Sequence, residues 1–295
     1  CFLPQILDKN IYDAVDPKLA AKMHKAIAVL QYKEEGQIIK RHPEYGMEER
    51  ILLSAIRYDR GTVTIDGKEY PMRDMNFPTA DPLRLTDEEE ELLHTLELSF
   101  RHNARLHEHV RFLYSNGSMY KCCNSNLLYH GCIPMTENRE FDGLMVGGKM
   151  YRGKELMDFI DTQVKNAYFL PEDAPEKEAC RDFMWYLWCG AKSPLFGKEK
   201  MTTFEHYFIE DKATHKEVMN PYYQLSEEEE TCDMILKEFG LPTKGSHIIN
   251  GHVPVKTIQG EQPMKANGKL FVIDGGFSKA YQPETGIAGY TLVYH

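Results

Sequence analysis

The sequence predicts a mixed α/β chain in which a helical elaboration interrupts a sheet. Three observations predict it. Helical spacing dominates residues 1–115 apart from one hairpin pattern near 61–70, and short apolar runs bounded by turn residues begin at Ser118. Helical patterning then returns over about 154–240 before strand-like runs resume. We therefore expect a mostly helical segment at 1–115 and, at 116–295, half of an α/β core carrying a helical insertion at about 154–240.

Taken in order, Asp16-Pro17 opens a helix over 17–40 whose apolar positions are Leu19, Met23, Ile27 and Leu30. A short helix follows from Met47 to Ile56. The run Gly61 to Tyr70 reads as a hairpin turning at Asp66-Gly67. Thr86-Asp87-Glu88-Glu89 is a capping box, opening one long charged helix that reaches Leu113. Met119–Cys123 and Asn126–His130 are strands separated by the two-residue turn Asn124-Ser125. A Gly-rich excursion from Gly143 to Gly153 leads into helices at 154–169 and 176–188. Ser226-Glu227-Glu228-Glu229 reads as a second capping box, with its helix stopping at Gly240. Strands are expected at Ser246–Asn250, Val253–Ile258, Lys269–Asp274 and Gly289–Tyr294.

Composition narrows the function. The 295 residues are 42% hydrophobic with 17 Tyr and 14 Phe, enough apolar material to bury a core. With 35 Lys and Arg against 45 Asp and Glu, the formal charge is −10. That sign argues against nucleic acid or an anionic membrane as the main partner. It leaves a phosphate substrate open, because a metal or a local basic pocket reverses the field where it matters. The seven cysteines are odd in number, irregularly spaced and contain no Cys-x-x-Cys pair, which reads as free thiols in a reducing cytoplasm. No apolar run has the length to span a bilayer. The chain opens on Cys1-Phe2-Leu3-Pro4-Gln5 rather than Met, and reads as part of something longer.

Three strand ends carry the chemistry. Asn250-Gly251-His252-Val253-Pro254 follows the apolar run His247-Ile248-Ile249, so His252 falls on the loop where a strand ends, the edge at which α/β sheets bind ligands. Gly251 reads as the tight turn, and Asn250 as either a ligand neighbour or a strand-end turn residue, the second being favoured. Leu127-Leu128-Tyr129-His130-Gly131-Cys132-Ile133-Pro134 repeats the design. A lone histidine at such a point is an ordinary buried side chain; two of them can converge on one ion, since imidazole nitrogen is a good ligand for Mn, Fe or Zn. The third piece, Leu270-Phe271-Val272-Ile273-Asp274-Gly275-Gly276, is an apolar strand ending in a carboxylate and two glycines.

These motifs resemble the second half of the calcineurin-like metallophosphoesterase pattern, and more closely the class III, Firmicutes-type fructose-1,6-bisphosphatases. Further stretches carry the resemblance: Ala21-Lys22-Met23-His24-Lys25-Ala26-Ile27, Gly36-Gln37-Ile38-Ile39-Lys40-Arg41, Met184-Trp185-Tyr186-Leu187-Trp188-Cys189-Gly190, Ser193-Pro194-Leu195-Phe196-Gly197-Lys198, Lys200-Met201-Thr202-Thr203-Phe204-Glu205 and the run from His247 to Tyr294. The resemblance implies part of a metallophosphoesterase β-sandwich flanked by helices. It also implies a cytoplasmic, Mn-dependent phosphatase that removes the 1-phosphate of fructose 1,6-bisphosphate in gluconeogenesis. The metal centre would be dinuclear, with Mg, Fe or Zn as alternatives to Mn, and His130 and His252 fall on the family's metal-binding histidines. The partner is then a small sugar bisphosphate, with no nucleic acid and no membrane, and a homo-oligomer stays open.

One departure matters. The family's Asp-x-His, Gly-Asp-x-x-Asp-Arg-Gly and Gly-Asn-His-Asp motifs, which carry the other ligands and the catalytic His, have no match here. Asp59-Arg60-Gly61 lacks the upstream Gly-Asp and reads as a turn. The catalytic residue is thus expected upstream, and the chain supplies two ligands of a larger set. Two other readings remain open: a metallophosphoesterase acting on another phosphomonoester, and a catalytically inactive structural or regulatory piece.

Lesser candidates have plainer accounts. Lys256 and Lys279, just past the two turns, are candidates for the second phosphate and equally ordinary solvated lysines. Lys198 is a weaker case of the same kind. His102, His107 and His109 read as a charged helical surface, and Trp185 with Trp188 as core.

Overall fold

A computed structural model describes residues 16–276, 278–279, 281–286 and 289–293. The first helix, α1 (Pro17–Arg41), starts where expected: Asp16 accepts from the Lys18 N–H, and Pro17 takes the first helical position. Its packed face differs from the expected one. Leu19, Met23 and Ile27 are exposed, while Ala21, Ala28, Tyr32 and Ile39 are buried with Leu30. Small residues let the helix approach its neighbours closely, and a search for large apolar side chains passes over them.

Residues Met47–Ile56 form two short 3-10 turns, Glu48–Arg50 and Leu52–Ala55, instead of a helix. They run into β1 (Ile56–Arg57), which pairs with the hairpin β2 (Thr62–Ile65) and β3 (Lys68–Pro71). Asp66 and Gly67 both have positive φ, as a two-residue hairpin turn demands. The Thr86 capping box forms as read and opens α2 (Asp87–Arg101). The expected single helix is two: α2 ends at His102, and the Asn103 side chain caps the Leu106 N–H to start α3 (Ala104–Asn116).

The antiparallel pair β4 (Tyr120–Cys123) and β5 (Asn126–Tyr129) follows, with left-handed Asn124 and Ser125 at the turn. The Gly-rich excursion is itself a hairpin, β6 (Gly143–Val146) and β7 (Lys149–Arg152), turning at Gly147-Gly148. Helices α4 (Gly153–Phe169) and α5 (Lys177–Cys189) match the expected pair. On α5, Trp185 is half-buried and Trp188 is exposed, so this pair is not core; Phe183, Tyr186 and Leu187 take the inward face.

Beyond α6 (Thr203–Phe208), α7 (Tyr222–Leu225) uses Ser226 as its C-cap, and Ser226 is buried there. It is therefore not free to cap α8 (Glu229–Glu238), which starts from Glu228 without a side-chain cap. Strands β8 (Ile248–Asn250), β9 (Met264–Lys265) and β10 (Leu270–Val272) complete the described elements, with the short α9 (Gln282–Thr285). Val253–Ile258 is loop and 3-10 turn rather than strand, because Pro254 has no N–H to donate and the Val255 N–H is taken by the Asp274 carbonyl. Residues 289–293 form no strand, and Tyr294 lies outside the described residues.

The chain divides into two compact units. The first comprises Cys1–Val110 and Met201–Glu217. Its core joins Tyr32, Leu53, Val63, Phe77, Phe204 and Phe208. The second comprises Arg111–Lys200 and Val218–His295. It holds the five-stranded sheet, ordered β4-β5-β8-β10-β9. The three central strands β5, β8 and β10 are parallel, in register through Leu127, Ile248 and Leu270, and only the edge strands are antiparallel. All three registered residues are buried, with Ile235 and Leu236 of α8 and Met157 of α4 in the same core. Parallel alignment places the carboxyl ends of β5, β8 and β10 on one edge. The architecture is mixed α/β.

Candidate metal centre

That shared edge is where the sequence places its chemistry. His130 directly follows β5, His252 stands two residues beyond β8, and Asp274 stands two residues beyond β10. The structure brings the two rings together: His130 Nε2 lies 3.0 Å from His252 Nδ1, with ring centroids 4.8 Å apart.

Local constraints produce this approach. The Gly251 N–H donates to the His130 carbonyl at 2.9 Å, tying the end of β8 to the end of β5. His252 adopts φ of 70°, the left-handed region that costs an L-residue roughly 1–2 kcal/mol. The left-handed residue is therefore His252 and not Gly251, whose own role is closeness: a Cβ there would sit 3.3 Å from Asp274 Cβ. Gly131 is more tightly constrained. A Cβ at that position would lie 2.9 Å from the Pro194 carbonyl oxygen and 3.2 Å from His252 Cβ.

The segment Ser193–Phe196 holds both histidine loops. Its Pro194 carbonyl accepts the Cys132 N–H at 3.1 Å, and its Phe196 carbonyl faces His252 Nε2 at 3.1 Å. A carbonyl only accepts, so the His252 proton sits on Nε2 and the Nδ1 lone pair points toward His130. His130 Nε2–H then donates to that lone pair at 3.0 Å. Burial lowers the His130 pKa, the adjacent His252 lowers it further, and Asp274 opposes both, so the ring favours its neutral form.

This donor set fits a divalent metal. Two metal–nitrogen bonds of about 2.1 Å put the nitrogens about 3.0 Å apart at a right angle and about 3.4 Å apart at the tetrahedral angle. A ring nitrogen bonded to a carbonyl behind a free lone pair is the usual outer support of a metal-binding histidine. Among the described residues, no group of three or more His, Cys, Asp or Glu side chains is arranged to hold a metal ion.

The other sequence candidates take no part in the contact between the two rings. Lys256 and Lys279 are exposed, with the Lys256 N–H bonded to Glu261 Oε2 at 2.8 Å. Asp59 and Arg60 sit in an exposed turn and pair with each other. His102 ends α2, and His107 and His109 are exposed on α3. Asn250 is more than a strand-end turn residue. It is buried, and its Nδ2 donates to the Gly131 carbonyl at 3.0 Å and to the Tyr222 hydroxyl at 2.8 Å. For Asn250 the sequence offers a place beside the ligands as the lesser of two readings, and the Phe196 carbonyl carries no sequence signal, although Phe196 lies within a stretch that matches the family.

Comparison with known proteins follows the same motifs. The chain matches the family described as Firmicute fructose-1,6-bisphosphatase over residues 1–295. The chain belongs to that family. Among Firmicute fructose-1,6-bisphosphatase relatives, the class 3 fructose-1,6-bisphosphatase of Clostridium tetani is 54% identical over 297 residues, covering all of this chain and 45% of that protein. The class 3 enzyme of Bacteroides fragilis is 56% identical over 289 residues, covering 97% of this chain and 44% of its own length. That of Bacteroides thetaiotaomicron is 54% identical over 299 residues, covering all of this chain and 45% of its own. The chain thus spans less than half the length of these curated relatives. No solved structure matches it. No helix among the described residues is long and apolar enough to cross a membrane.

Proposed function

We propose that this chain supplies the histidine side of a divalent-metal centre with which the whole protein hydrolyses the 1-phosphate of fructose 1,6-bisphosphate. The observation that carries the reading is the 3.0 Å separation of His130 Nε2 and His252 Nδ1 at the carboxyl edge of parallel strands. Family membership supports the choice of substrate class, and the geometry supports the choice of residues.

His252 holds its proton on Nε2 against the Phe196 carbonyl and presents Nδ1 as a donor. His130 presents Nε2 once its proton is carried on Nδ1. When bound, a dinuclear Mn centre supplies charge neutralisation on the phosphate oxygens and a water acidic enough to attack phosphorus. The remaining ligands and the catalytic group belong, on this reading, to the part of the protein that the relatives possess beyond the matched half. Lys256 and Lys279 are our proposed contacts for the second phosphate, since both are exposed cations just downstream of the strand ends. Substrate and metal chemistry of this kind suit a cytoplasmic enzyme.

A second reading, in which this polypeptide alone is structural, is favoured by the absence of a third ligand among the described residues. Phosphate release by the whole protein, measured with Mn2+ over a panel of sugar bisphosphates, nucleotides and phosphopeptides, separates these readings. We expect fructose 1,6-bisphosphate to lead the panel, and His130→Ala and His252→Ala each to lose at least about 100-fold in turnover. Wild-type turnover in both variants would remove the assignment; a different leading substrate would replace the sugar while keeping the metal chemistry.

A further inference from the structure

Beneath the histidine pair lies a polar chain that the reading above does not use. Asn250 is 4% exposed, and both of its Nδ2 protons are taken, one by the Gly131 carbonyl and one by the Tyr222 hydroxyl. The Tyr222 hydroxyl lies 2.6 Å from the Tyr129 hydroxyl, and Tyr222 is fully buried. Burial pushes both phenols well above their ordinary pKa, so they remain neutral hydrogen-bonding groups.

These contacts join the two histidine loops below the rings. Tyr129 immediately precedes His130 and Gly131 immediately follows it, while Asn250 stands two residues before His252. The main chain of Asn250 is fixed as well, its carbonyl accepting the Ile273 N–H at 2.8 Å from beyond β10. Asn250 is thus anchored to the sheet and reaches across to the residue after His130. We infer that Asn250 is a positioning residue, whose amide sets the separation of the His130 and His252 nitrogens by holding the Gly131 carbonyl and the Tyr222 hydroxyl. The inference rests on the reading of that pair as a metal site.

Its physical basis is the two-donor amide. The isosteric carboxylate introduced by Asn250→Asp has no N–H for either acceptor and sets an oxygen against the Gly131 carbonyl oxygen. Loss of an outer support of this kind weakens metal binding by about 10–100-fold.

The test is Mn2+ titration of the whole protein by electron paramagnetic resonance, on samples matched for folded fraction by near-ultraviolet circular dichroism. Visible spectra of the Co2+-loaded whole protein provide a signature of ligand geometry that a merely structural role would not alter. Asn250→Asp should weaken Mn2+ at least tenfold and shift the Co2+ bands. If His252→Ala abolishes binding while Asn250→Asp weakens it less than tenfold, the inference fails and the metal reading stands. If the unaltered whole protein binds no Mn2+, or His252→Ala binds it normally, both fail. Should Asn250→Asp not fold, Tyr222→Phe replaces it, removing one brace with little change of volume. A loss of threefold or more supports the positioning role, and a smaller loss overturns it.

Discussion

Gly131→Ala is the sharpest perturbation the site offers, because it adds one methyl where two loops meet. The new Cβ would lie 2.9 Å from the Pro194 carbonyl oxygen, and 3.2 and 3.3 Å from His252 Cβ and Cγ. Comfortable carbon–carbon contact begins at about 3.5 Å, so His252 must retreat by a few tenths of an ångström. The Pro194 side cannot yield freely, since that oxygen is main chain and already accepts the Cys132 N–H at 3.1 Å. Overpacking of this kind costs about 1–3 kcal/mol. The matched control is Gly251→Ala, whose Cβ would meet Asp274 Cβ at 3.3 Å and nothing else closer than 3.7 Å. Urea unfolding of both variants, with midpoint and slope fitted separately, measures the cost. We expect Gly131→Ala to lose about 2 kcal/mol and Gly251→Ala less than about 1 kcal/mol. Mn2+ affinity should fall further in the first than in the second, because only the first pushes a ring. A Gly131→Ala chain as stable as wild type, or a reversed order of the two variants, refutes the reasoning.

Two further predictions concern the first unit. Arg50 makes paired contacts with Glu205 at 2.6 and 3.0 Å, and Glu205 is wholly buried; Arg50→Met strands that carboxylate and should cost about 3–5 kcal/mol in urea unfolding, with Glu205→Gln added to it recovering part of the loss. Burial raises the Asp74 carboxyl, but the Lys25 ammonium at 2.6 Å and the Asn76 N–H outweigh it and hold the pKa below the usual carboxylate value. A depressed native pKa gives stability that is present above the unfolded value of about 3.9 and is lost as pH falls through the native one, so the urea midpoints of wild type and Lys25→Met should stay apart above about pH 5 and converge as pH falls below about 3.9; a gap that widens on acidification contradicts the pairing.

Much of the chain was legible because local chemistry decided it. Asp66-Gly67, Asn124-Ser125 and the Thr86 capping box each act within four residues, and each appears where the sequence places it. Errors arose where a signal had two uses. Ser226 looks like an N-cap but ends α7, and Asn103 looks like helix interior but caps α3. The Gly147-Gly148 pair is a hairpin turn, although glycine-rich sequence reads equally well as an irregular loop. At the candidate site the same division holds. Two histidines at strand ends could be read, since an apolar run followed by His-Gly marks a strand leaving the sheet. The contacts of Asn250 with Gly131 and of Phe196 with His252 span 119 and 56 residues, and no local pattern encodes them.

Strand pairing alone does not bring the rings together. Parallel register aligns Leu128 with Ile249, two and three residues short of the two histidines, and an ordinary extended exit from each strand leaves the side chains free to diverge. The left-handed turn at His252 redirects its ring at a cost of roughly 1–2 kcal/mol. Three long-range hydrogen bonds oppose that cost: Gly251 N–H to the His130 carbonyl, Asn250 Nδ2 to the Gly131 carbonyl, and His252 Nε2 to the Phe196 carbonyl. At about 0.5–1.5 kcal/mol each they exceed the strain together, and no single one does so securely. The paired arrangement is therefore cooperative. The segment linking α5 to α6 is consequently part of that arrangement, because it supplies the carbonyl that holds the His252 proton on Nε2 and turns Nδ1 toward His130.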